Sequence, residues 1–119
     1  MEDKQSKLIN SLLIQPLIVV IRLDIDFFNT TYNRDNLLSK IKNLSGYGVR
    51  NIEIGWDSNP EWIPLISQIK NDFNCINLGA ASVTSIQALD SILSLDLNYS
   101  MSPFFNREVH LKAIKHNQL

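Results

Sequence analysis

Four short apolar segments, each followed by a segment with helical spacing, constrain the fold of this 119-residue chain more than any other feature. The apolar segments predict strands at 17–22, 49–56, 75–80 and 97–102. The helices predicted to follow them lie at 34–45, from Ser58 to Asn71, from Thr84 or Ser85 through Leu93, and at 106–117. A strand followed by a helix, repeated four times, indicates an α/β fold with parallel strands joined by right-handed crossovers.

Another helix is predicted ahead of the first strand, at residues 4–14, where Pro16 ends the pattern. One face of it carries four apolar residues: Leu8, Ile9, Leu12 and Leu13. One helix and four strand–helix units fit either a small open sheet or half of a (β/α)8 barrel, since a complete barrel needs about 200 residues or more. Periodicity alone leaves both architectures open.

Composition places the chain among ordinary globular domains and excludes two classes of partner. Apolar residues make up 45% of the sequence and the formal net charge is -1, so the chain lacks the basic surface that binds nucleic acid or an anionic membrane. The longest apolar run, 16–21, is far shorter than the roughly 20 residues that cross a membrane. The first residues also lack a signal-peptide pattern. We therefore expect a single cytoplasmic domain covering residues 1–119.

Redox and metal chemistry find little support in the sequence. Cys75 is the only cysteine, which excludes an internal disulfide, and we expect its thiol to be buried and inert. His110 and His116 do not share a face of the last predicted helix, so we expect both to be solvated. A divalent-cation site remains an alternative, and its oxygen ligands would be Asp24, Asp26, Glu53 and Asp57. The main expectation is that the chain holds no metal and no other cofactor.

Glu53 is an unusual residue in the second predicted strand, because isoleucines flank it on both sides. Side chains alternate between faces along a strand, so Ile52, Ile54 and Trp56 share one face. Glu53 shares the other face with Gly55, and in a barrel it would point into the interior. Burial raises the pKa of a carboxyl group, which suits proton transfer near neutral pH.

Glu53 also has a structural interpretation. A carboxylate at this position would be explained equally by an ion pair with Arg22 or Arg50, or by a hydrogen bond from a backbone amide. The strand pattern by itself does not decide between a catalytic and a structural acid.

Two loops at predicted strand ends carry hydroxyl groups that suit ligand binding. The loop "LGAASV", 78–83, combines small residues with Ser82, so backbone amides can approach a ligand there. The loop "MSPFF", 101–105, presents Ser102, although capping of the last helix explains this serine nearly as well. Parallel α/β proteins bind ligands at the carboxyl ends of their strands, where both loops are predicted to lie.

Taken in order, the segments "PLIVVIR", "GVRNIEIGWDS", "LGAASV" and "MSPFF" resemble the amino-terminal half of the 2-keto-3-deoxy-6-phosphogluconate and 4-hydroxy-2-oxoglutarate aldolases. The similarity covers residues 7–117. It implies a class I, Schiff-base (β/α)8 lyase that cleaves 2-keto-4-hydroxy acids to pyruvate and an aldehyde. It also implies a family whose members form trimers.

The resemblance assigns roles to individual residues. Glu53 matches the family's glutamate, which is the general acid and base of carbon–carbon bond cleavage, and is the predicted catalytic residue. Ser82 matches a threonine that helps to hold the substrate carboxylate, and Ser102 matches the serine of the fourth-strand S-P motif. Arg22 matches the basic end of the first strand. The predicted substrate-binding residues are therefore Arg22, Ser82 and Ser102.

The sequence also departs from the family pattern. Asp57 stands where the family has a carboxylate-binding arginine, which reverses the charge. A threonine and two glycines of the family are replaced here by Gly55, Ala81 and Phe104. The family's Schiff-base lysine comes from strand six, beyond the matched half, and the lysines at 40, 42, 70, 112 and 115 all fall in predicted helices. We therefore expect no imine with pyruvate from these residues alone.

The resemblance favours the half barrel, a TIM-barrel-like (β/α)4 domain with a parallel sheet open at both edges. Open edges promote association, so the predicted partners are a second copy of the chain or a complementary half barrel, together with a pyruvate-like keto acid. Three functions remain open. They are an aldolase half with Glu53 as acid and base, a degenerate half barrel that binds a ligand or protein without catalysis, and a metal-dependent enzyme acting on keto acids.

Overall fold

The computed structural model describes residues 3–119 as five α-helices and one parallel sheet of four strands. The helices are α1 (Lys4–Ile14), α2 (Thr31–Gly46), α3 (Trp62–Asp72), α4 (Ile86–Leu95) and α5 (Arg107–Lys115). The strands are β1 (Val19–Ile21), β2 (Asn51–Gly55), β3 (Asn77–Ala81) and β4 (Tyr99–Ser100), in the spatial order β1-β2-β3-β4. Every strand is followed by a helix, so the predicted α/β fold is confirmed. Within residues 3–119, no helix combines the length and apolarity that crossing a membrane requires.

β1, β2 and β4 are all shorter than predicted. β1 has three residues and β4 has two, whereas β2 and β3 have five each. An edge strand has a single neighbour, so it is paired only where the register places it opposite that neighbour. β4 lies opposite only Gly79 and Ala80 of β3. The apolar segment 97–102 is therefore longer than the part of it that forms the ladder.

Hydroxyl side chains fix the starts of α2 and α4. Ser85 accepts a hydrogen bond from the backbone N–H of Ala88 at 3.1 Å, as one of the two predicted caps of α4. Thr30 accepts a hydrogen bond from the N–H of Asn33 at 3.4 Å, so α2 begins earlier than predicted. A 3₁₀ turn, Phe27–Asn29, precedes it, in a segment for which the sequence predicts neither a helix nor a strand.

α3 begins at Trp62, and the predicted start at Ser58 is wrong. The Asp57 carboxylate accepts a hydrogen bond from the backbone N–H of Asn59 at 2.7 Å. The Asn59 side-chain oxygen in turn accepts one from the N–H of Glu61 at 2.9 Å. Asp and Asn side chains that bind the backbone two residues ahead form turns instead of helix. The chain therefore makes two such turns before the helix begins.

The hydrophobic core lies between the outer face of the sheet and helices α2, α3, α4 and α5. Ile52 and Ile54 of β2 are fully buried in it, and Trp56 packs against it, so the predicted alternation of β2 is confirmed. Trp62 begins α3 at 1% exposure, and its indole N–H donates to the backbone carbonyl of Gly55 at 2.9 Å. This bond connects the core to the carboxyl end of β2.

A layer of buried asparagines closes the amino-terminal end of the sheet. Asn51 begins β2, is fully buried and pairs in register with Asn77 of β3. The Asn77 amide donates to the side-chain oxygen of Asn51 at 2.9 Å, and Ser11 of α1 donates to the same oxygen at 3.2 Å. The Asn51 amide donates to the carbonyls of Gln15 and Leu17 at 3.3 and 3.2 Å. These bonds attach α1 and the chain entering β1 to the sheet.

α1 buries little of its apolar face, and the predicted burial of Cys75 is wrong. The bounds of α1 are those predicted, but of its apolar face only Leu8 is buried, while Ile9 and Leu13 are exposed. The reason is that α1 covers the end of the sheet and not its face, so few of its side chains meet the core. Cys75 is exposed instead of buried. β3 begins at Asn77, which leaves Cys75 in the surface turn that follows α3.

Candidate functional site

A row of paired residues crosses the inner face of the sheet, on the side away from the core. Its members, in strand order, are Val20, Glu53, Gly79 and Tyr99. Paired residues of neighbouring parallel strands point to the same face, so all four belong to the inner face. Two positions further toward the carboxyl ends of β2 and β3, the paired residues are the small Gly55 and Ala81. The row therefore opens toward the rim formed by the strand ends.

Glu53, the predicted catalytic residue, is only 6% exposed on this inner face. Its Oε2 atom has no hydrogen-bond partner among residues 3–119. Burial raises the pKa of the Glu53 carboxyl above its ordinary value, and the positive charge of Arg22 partly opposes the shift. The ion pairs found within residues 3–119 involve neither Arg22 nor Arg50, so they do not support the interpretation of Glu53 as a salt-bridged structural acid.

The carboxyl ends of β1, β2 and β3 surround a hollow of about 160 Å³. Its lining residues are Arg22, Leu23, Gly55, Trp56, Asp57 and Ser82. Two of the predicted substrate-binding residues, Arg22 and Ser82, thus come together at the rim. Ser82 has a φ of 61°, in the left-handed region that is uncommon for residues other than glycine. Backbone strain of this kind is concentrated at ligand sites.

Asp57 lies in the same hollow as Arg22 and gives it mixed charge. Its Oδ1 already accepts the hydrogen bond from Asn59 that forms the turn before α3. A carboxylate at this position repels the carboxylate of a keto acid, whereas Arg22 attracts it. The departure from the aldolase pattern at Asp57 therefore lies within the candidate site.

Ser102, the third predicted substrate-binding residue, does not line the hollow. Its hydroxyl donates to the backbone carbonyl of Val83, which ties the loop after β4 to the loop after β3. It does not cap α5 either, because the side chain of Asn106 accepts the hydrogen bond from the N–H of Val109 at 3.2 Å. Contact of Ser102 with a substrate stays a prediction.

Tyr99 belongs to the candidate site, and sequence reasoning missed it. It is 3% exposed, and its hydroxyl has no hydrogen-bond partner among residues 3–119. Burial raises the pKa of the Tyr99 phenol, and the nearby Glu53 charge raises it further. The available signal was the alternation of faces along the fourth strand, but the register between strands is needed to align Tyr99 with Glu53.

Metal ligands do not converge at this site. Within residues 3–119, no three His, Cys, Asp or Glu side chains are placed together to hold a metal ion. The four carboxylates of the metal hypothesis are therefore not assembled into a site in this structure. His110 and His116 are exposed on and after α5, as predicted.

The lysines lie away from the inner face. Every lysine of the sequence belongs to α1, α2, α3 or α5. Lys4 pairs with Asp96 at 2.9 Å, and Lys70 donates to the backbone carbonyl of Leu95 at 2.7 Å. Leu95 and Asp96 both lie just before the amino end of β4. Lys112 is paired with Asp90 between α5 and α4. Lys40 shares a separate hollow with Ile21 and Arg22 at the carboxyl end of β1. Among residues 3–119, no lysine lines the hollow that holds Asp57 and Ser82.

No protein-family model matches the sequence, and no curated protein matches it. Solved structures do match. One is the native structure of KDPGal, an aldolase, with a TM-score of 0.69 and 21% sequence identity over 87% of this chain. The fold is aldolase-like. Another is a cube-shaped, highly porous protein cage designed by fusing symmetric oligomeric domains, with a TM-score of 0.67 and 20% identity over 85% of this chain.

The aldolase-like fold of this chain corresponds to a part of each matched structure. The chain spans 46% of the length of the KDPGal aldolase and 34% of the length of the cage protein. A parallel four-stranded sheet with this coverage is the predicted half of a (β/α)8 barrel. At this level of identity the similarity shows the fold, and membership of the aldolase family stays a prediction.

The raised pKa of Glu53 predicts a specific dependence of stability on pH. Because the native chain binds the Glu53 proton more tightly than the unfolded chain, this carboxyl lowers the free energy of unfolding as pH rises above about 4.5 and through its folded pKa. We expect Glu53→Gln to be more stable than the wild type at pH 8, with the difference disappearing below pH 4.5. Urea unfolding followed by circular dichroism across this range would measure it, with the exposed Glu61→Gln as control. Equal curves for the wild type and Glu53→Gln would contradict the prediction.

Proposed function

We propose that this chain is a half barrel of the 2-keto-3-deoxy-6-phosphogluconate and 4-hydroxy-2-oxoglutarate aldolase type. In this proposal Glu53 moves the proton when a 2-keto-4-hydroxy acid is cleaved to pyruvate and an aldehyde. The observation that carries it is the buried, unpartnered carboxyl of Glu53 on the inner face, with its pKa raised by burial. A carboxyl with a pKa closer to neutral exchanges protons efficiently at physiological pH.

Arg22 and Ser82 support the same proposal. Both line the hollow on the carboxyl side of Glu53, where the family resemblance places groups that hold the substrate. Arg22 supplies a permanent positive charge for a keto-acid carboxylate. The strained backbone at Ser82 is of the kind found where a loop is shaped around a ligand.

The proposed chemistry needs an amine that the described residues do not place at the site. A class I aldolase forms an imine between a lysine and the keto group, and the lysine must lie beside the acid and base. The lysines here all lie in helices, and three of them are engaged with Asp96, Leu95 or Asp90. We propose that the amine comes from residues outside these 119, in a second half of the barrel.

The edges of the sheet support a partner half. Within residues 3–119, no strand pairs with the outer edge of β1. Among the described residues, the Leu119 carbonyl meets the outer edge of β4 and accepts a hydrogen bond from the N–H of Ser100 at 2.8 Å. Exposed apolar side chains occur at both edges: Val20 in β1 and Leu17 just before it, and Phe105 and Ile114, which line a hollow together with Ser100 of β4. We propose that a second copy or a complementary half barrel covers them, and the similarity to a cage built from symmetric oligomeric domains supports association.

A second candidate function is a degenerate half barrel that binds a ligand or a protein without catalysis. The observation that favours it is Asp57, whose carboxylate shares the hollow with Arg22 and weakens its attraction for a keto acid. Phe104, 60% exposed in the loop after β4, adds bulk at the same end of the sheet. The first function predicts aldol cleavage that depends on Glu53. The second predicts ligand binding without any cleavage.

Borohydride trapping with pyruvate, read by intact mass, tests the proposal that this chain supplies the acid and base while a second half supplies the amine. We expect no adduct on this chain alone, with circular dichroism and sedimentation reporting its fold and oligomeric state. An adduct would show that one of the helical lysines reaches the site, against the proposal. The second arm is a fusion of this chain with the carboxyl-terminal half of the KDPGal aldolase to which it is similar.

The fusion tests Glu53 directly. We expect a pyruvate adduct and aldol cleavage, with Glu53→Gln lowering the cleavage rate by about 10²–10⁴-fold while a pyruvate adduct can still be trapped. Glu61→Gln, an exposed acid at the start of α3, is the matched control. A folded fusion that forms the adduct but cleaves equally well without Glu53 would overturn the assigned role. A folded fusion that forms the adduct and cleaves nothing would favour the binding function.

A further inference from the structure

We propose that Tyr99 and Glu53 form a two-group site on the inner face that binds the hydroxyl group of a 2-keto-4-hydroxy acid. The phenol of Tyr99 is one partner of that hydroxyl and the carboxyl of Glu53 is the other. This inference rests on the proposed function for the class of ligand. It adds a residue, Tyr99, that neither the family resemblance nor the candidate hollow includes.

The register of the sheet places the two side chains on the same face. Glu53 is paired with Gly79, and Gly79 is paired with Tyr99. Gly79 has no side chain, so the inner face between Glu53 and Tyr99 is open at the level of the backbone. A larger residue at this position would separate the two polar groups.

The ring of Tyr99 occupies that open space. A Cβ atom added to Gly79 would lie 2.4 Å from Tyr99 Cζ and 2.5 and 2.6 Å from its two Cε atoms. The hydroxyl end of the ring, and not its base, therefore covers Gly79. Gly79 is the residue that pairs with Glu53, so the hydroxyl end of Tyr99 lies over the strand next to Glu53.

Both polar groups are buried without a partner. Glu53 and Tyr99 are 6% and 3% exposed, and within residues 3–119 neither Glu53 Oε2 nor the Tyr99 hydroxyl makes a hydrogen bond. Buried polar groups in native proteins are nearly always satisfied by protein, water or ligand, because an unmade hydrogen bond is costly. Two such groups side by side match a bound molecule that brings its own hydrogen-bonding atom.

The protonation of Tyr99 and Glu53 decides which of the two donates and which accepts a hydrogen bond from a ligand. Burial and the Glu53 charge raise the pKa of Tyr99, so its phenol stays protonated at neutral pH and donates a hydrogen bond. Burial raises the pKa of Glu53 as well, with Arg22 opposing it. An alcohol suits this pair, because its oxygen accepts from the phenol while its proton is donated to the carboxylate.

The test compares two ligands that differ in one hydroxyl group. Isothermal titration calorimetry of the 119-residue chain with 4-hydroxy-2-oxoglutarate and with 2-oxoglutarate measures how much the hydroxyl contributes to binding. We expect the hydroxy acid to bind about tenfold more tightly, the value of one well-made hydrogen bond. Tyr99→Phe, which keeps the ring over Gly79, should remove this preference. Tyr47→Phe, at an exposed tyrosine, should retain it.

The possible results distinguish failure of the two-group site from failure of the proposed ligand class. Binding of both acids with equal affinity in the wild type, or a preference that survives Tyr99→Phe in a chain with an unchanged melting temperature, would overturn the two-group site and leave the proposed function standing. Failure of the folded wild type to bind either acid would overturn the proposed ligand class, and the inference with it. A separate ultraviolet titration checks the pair without ligand. There, Glu53→Gln should lower the pKa of the Tyr99 phenol, and an unchanged value would contradict the proximity of the two groups.

Discussion

Replacing Trp62 by alanine is expected to lower the free energy of unfolding by about 3–5 kcal/mol, the range for removing a large buried aromatic side chain. Trp62 is the largest side chain that is almost fully buried, at 1% exposure, and it begins the helix that follows β2. The substitution also removes the donor to the Gly55 carbonyl. Urea unfolding followed by circular dichroism would measure the loss, since indole fluorescence changes with the mutation itself.

A matched control lies next to it on the same helix. Ile63 is 41% exposed, so Ile63→Ala should cost much less than Trp62→Ala. Trp62→Phe keeps most of the volume and removes the hydrogen bond, and should cost about 1–3 kcal/mol. Equal losses for Trp62→Ala and Ile63→Ala would show that the core is not centred on this residue.

Gly79→Ala is expected to destabilise the chain by about 3 kcal/mol, at the upper end of the usual range for overpacking. The added methyl group would overlap the ring of Tyr99 at 2.4 Å, so the ring must leave its place on the inner face. Gly46→Ala is the control, because nothing lies within 4 Å of a Cβ atom at Gly46, and helix α2 favours alanine there. Thermal and urea unfolding of both variants would measure the difference.

A double mutant isolates the contact behind this prediction. In the background of Tyr99→Ala, where the ring is absent, Gly79→Ala should cost much less than in the wild type. Additive losses would mean that the methyl group meets something other than Tyr99. The pair thus reports, through stability alone, whether Tyr99 covers Gly79 in solution.

The order of strands and helices was predictable because burial repeats along the chain. Runs of branched apolar residues alternate with segments of helical spacing, and each alternation requires one crossover between parallel strands. The alternation within β2 also predicted which face Glu53 occupies, since Ile52 and Ile54 are fully buried on the opposite face. These features depend on local periodicity, which a sequence carries directly.

Features that depend on particular side-chain contacts were not predictable. The start of α3 shifts from Ser58 to Trp62 because Asp57 and Asn59 bind the backbone ahead of them. Ser58 carries the same cap signal as Ser85, and the sequence does not show which of the two is used. Cys75 is exposed because β3 begins two residues after it. In each case a local competition decides the outcome.

The candidate site also has residues that were predictable from the sequence and one that was not. Glu53 follows from the alternation along its strand, Ser82 from its place at a strand end, and Arg22 from the family resemblance. The structure brings Arg22 and Ser82 to one hollow. Tyr99 was not predicted as a site residue. Glu53 pairs with Gly79 and Gly79 pairs with Tyr99, so the register of β2 with β3 and of β3 with β4 must both be known to place Tyr99 beside Glu53. Which residues meet across neighbouring strands depends on the register of the strands. The periodicity of a single sequence does not reveal that register.

The asparagine layer has a consequence for how the molecule opens. Detaching α1 would take Ser11 away from Asn51, and detaching the chain that follows α1 would remove the Gln15 and Leu17 carbonyls that accept from the Asn51 amide. The Asn51 side chain would then lose three hydrogen bonds at the amino-terminal end of the sheet, and each lost bond costs about 1 kcal/mol of a small stability. Fraying from the amino terminus should therefore stop before Ser11. Amides of the last turn of α1 should exchange with solvent only when β2 and β3 also open, so the leading helix and the sheet belong to one cooperative unit of unfolding.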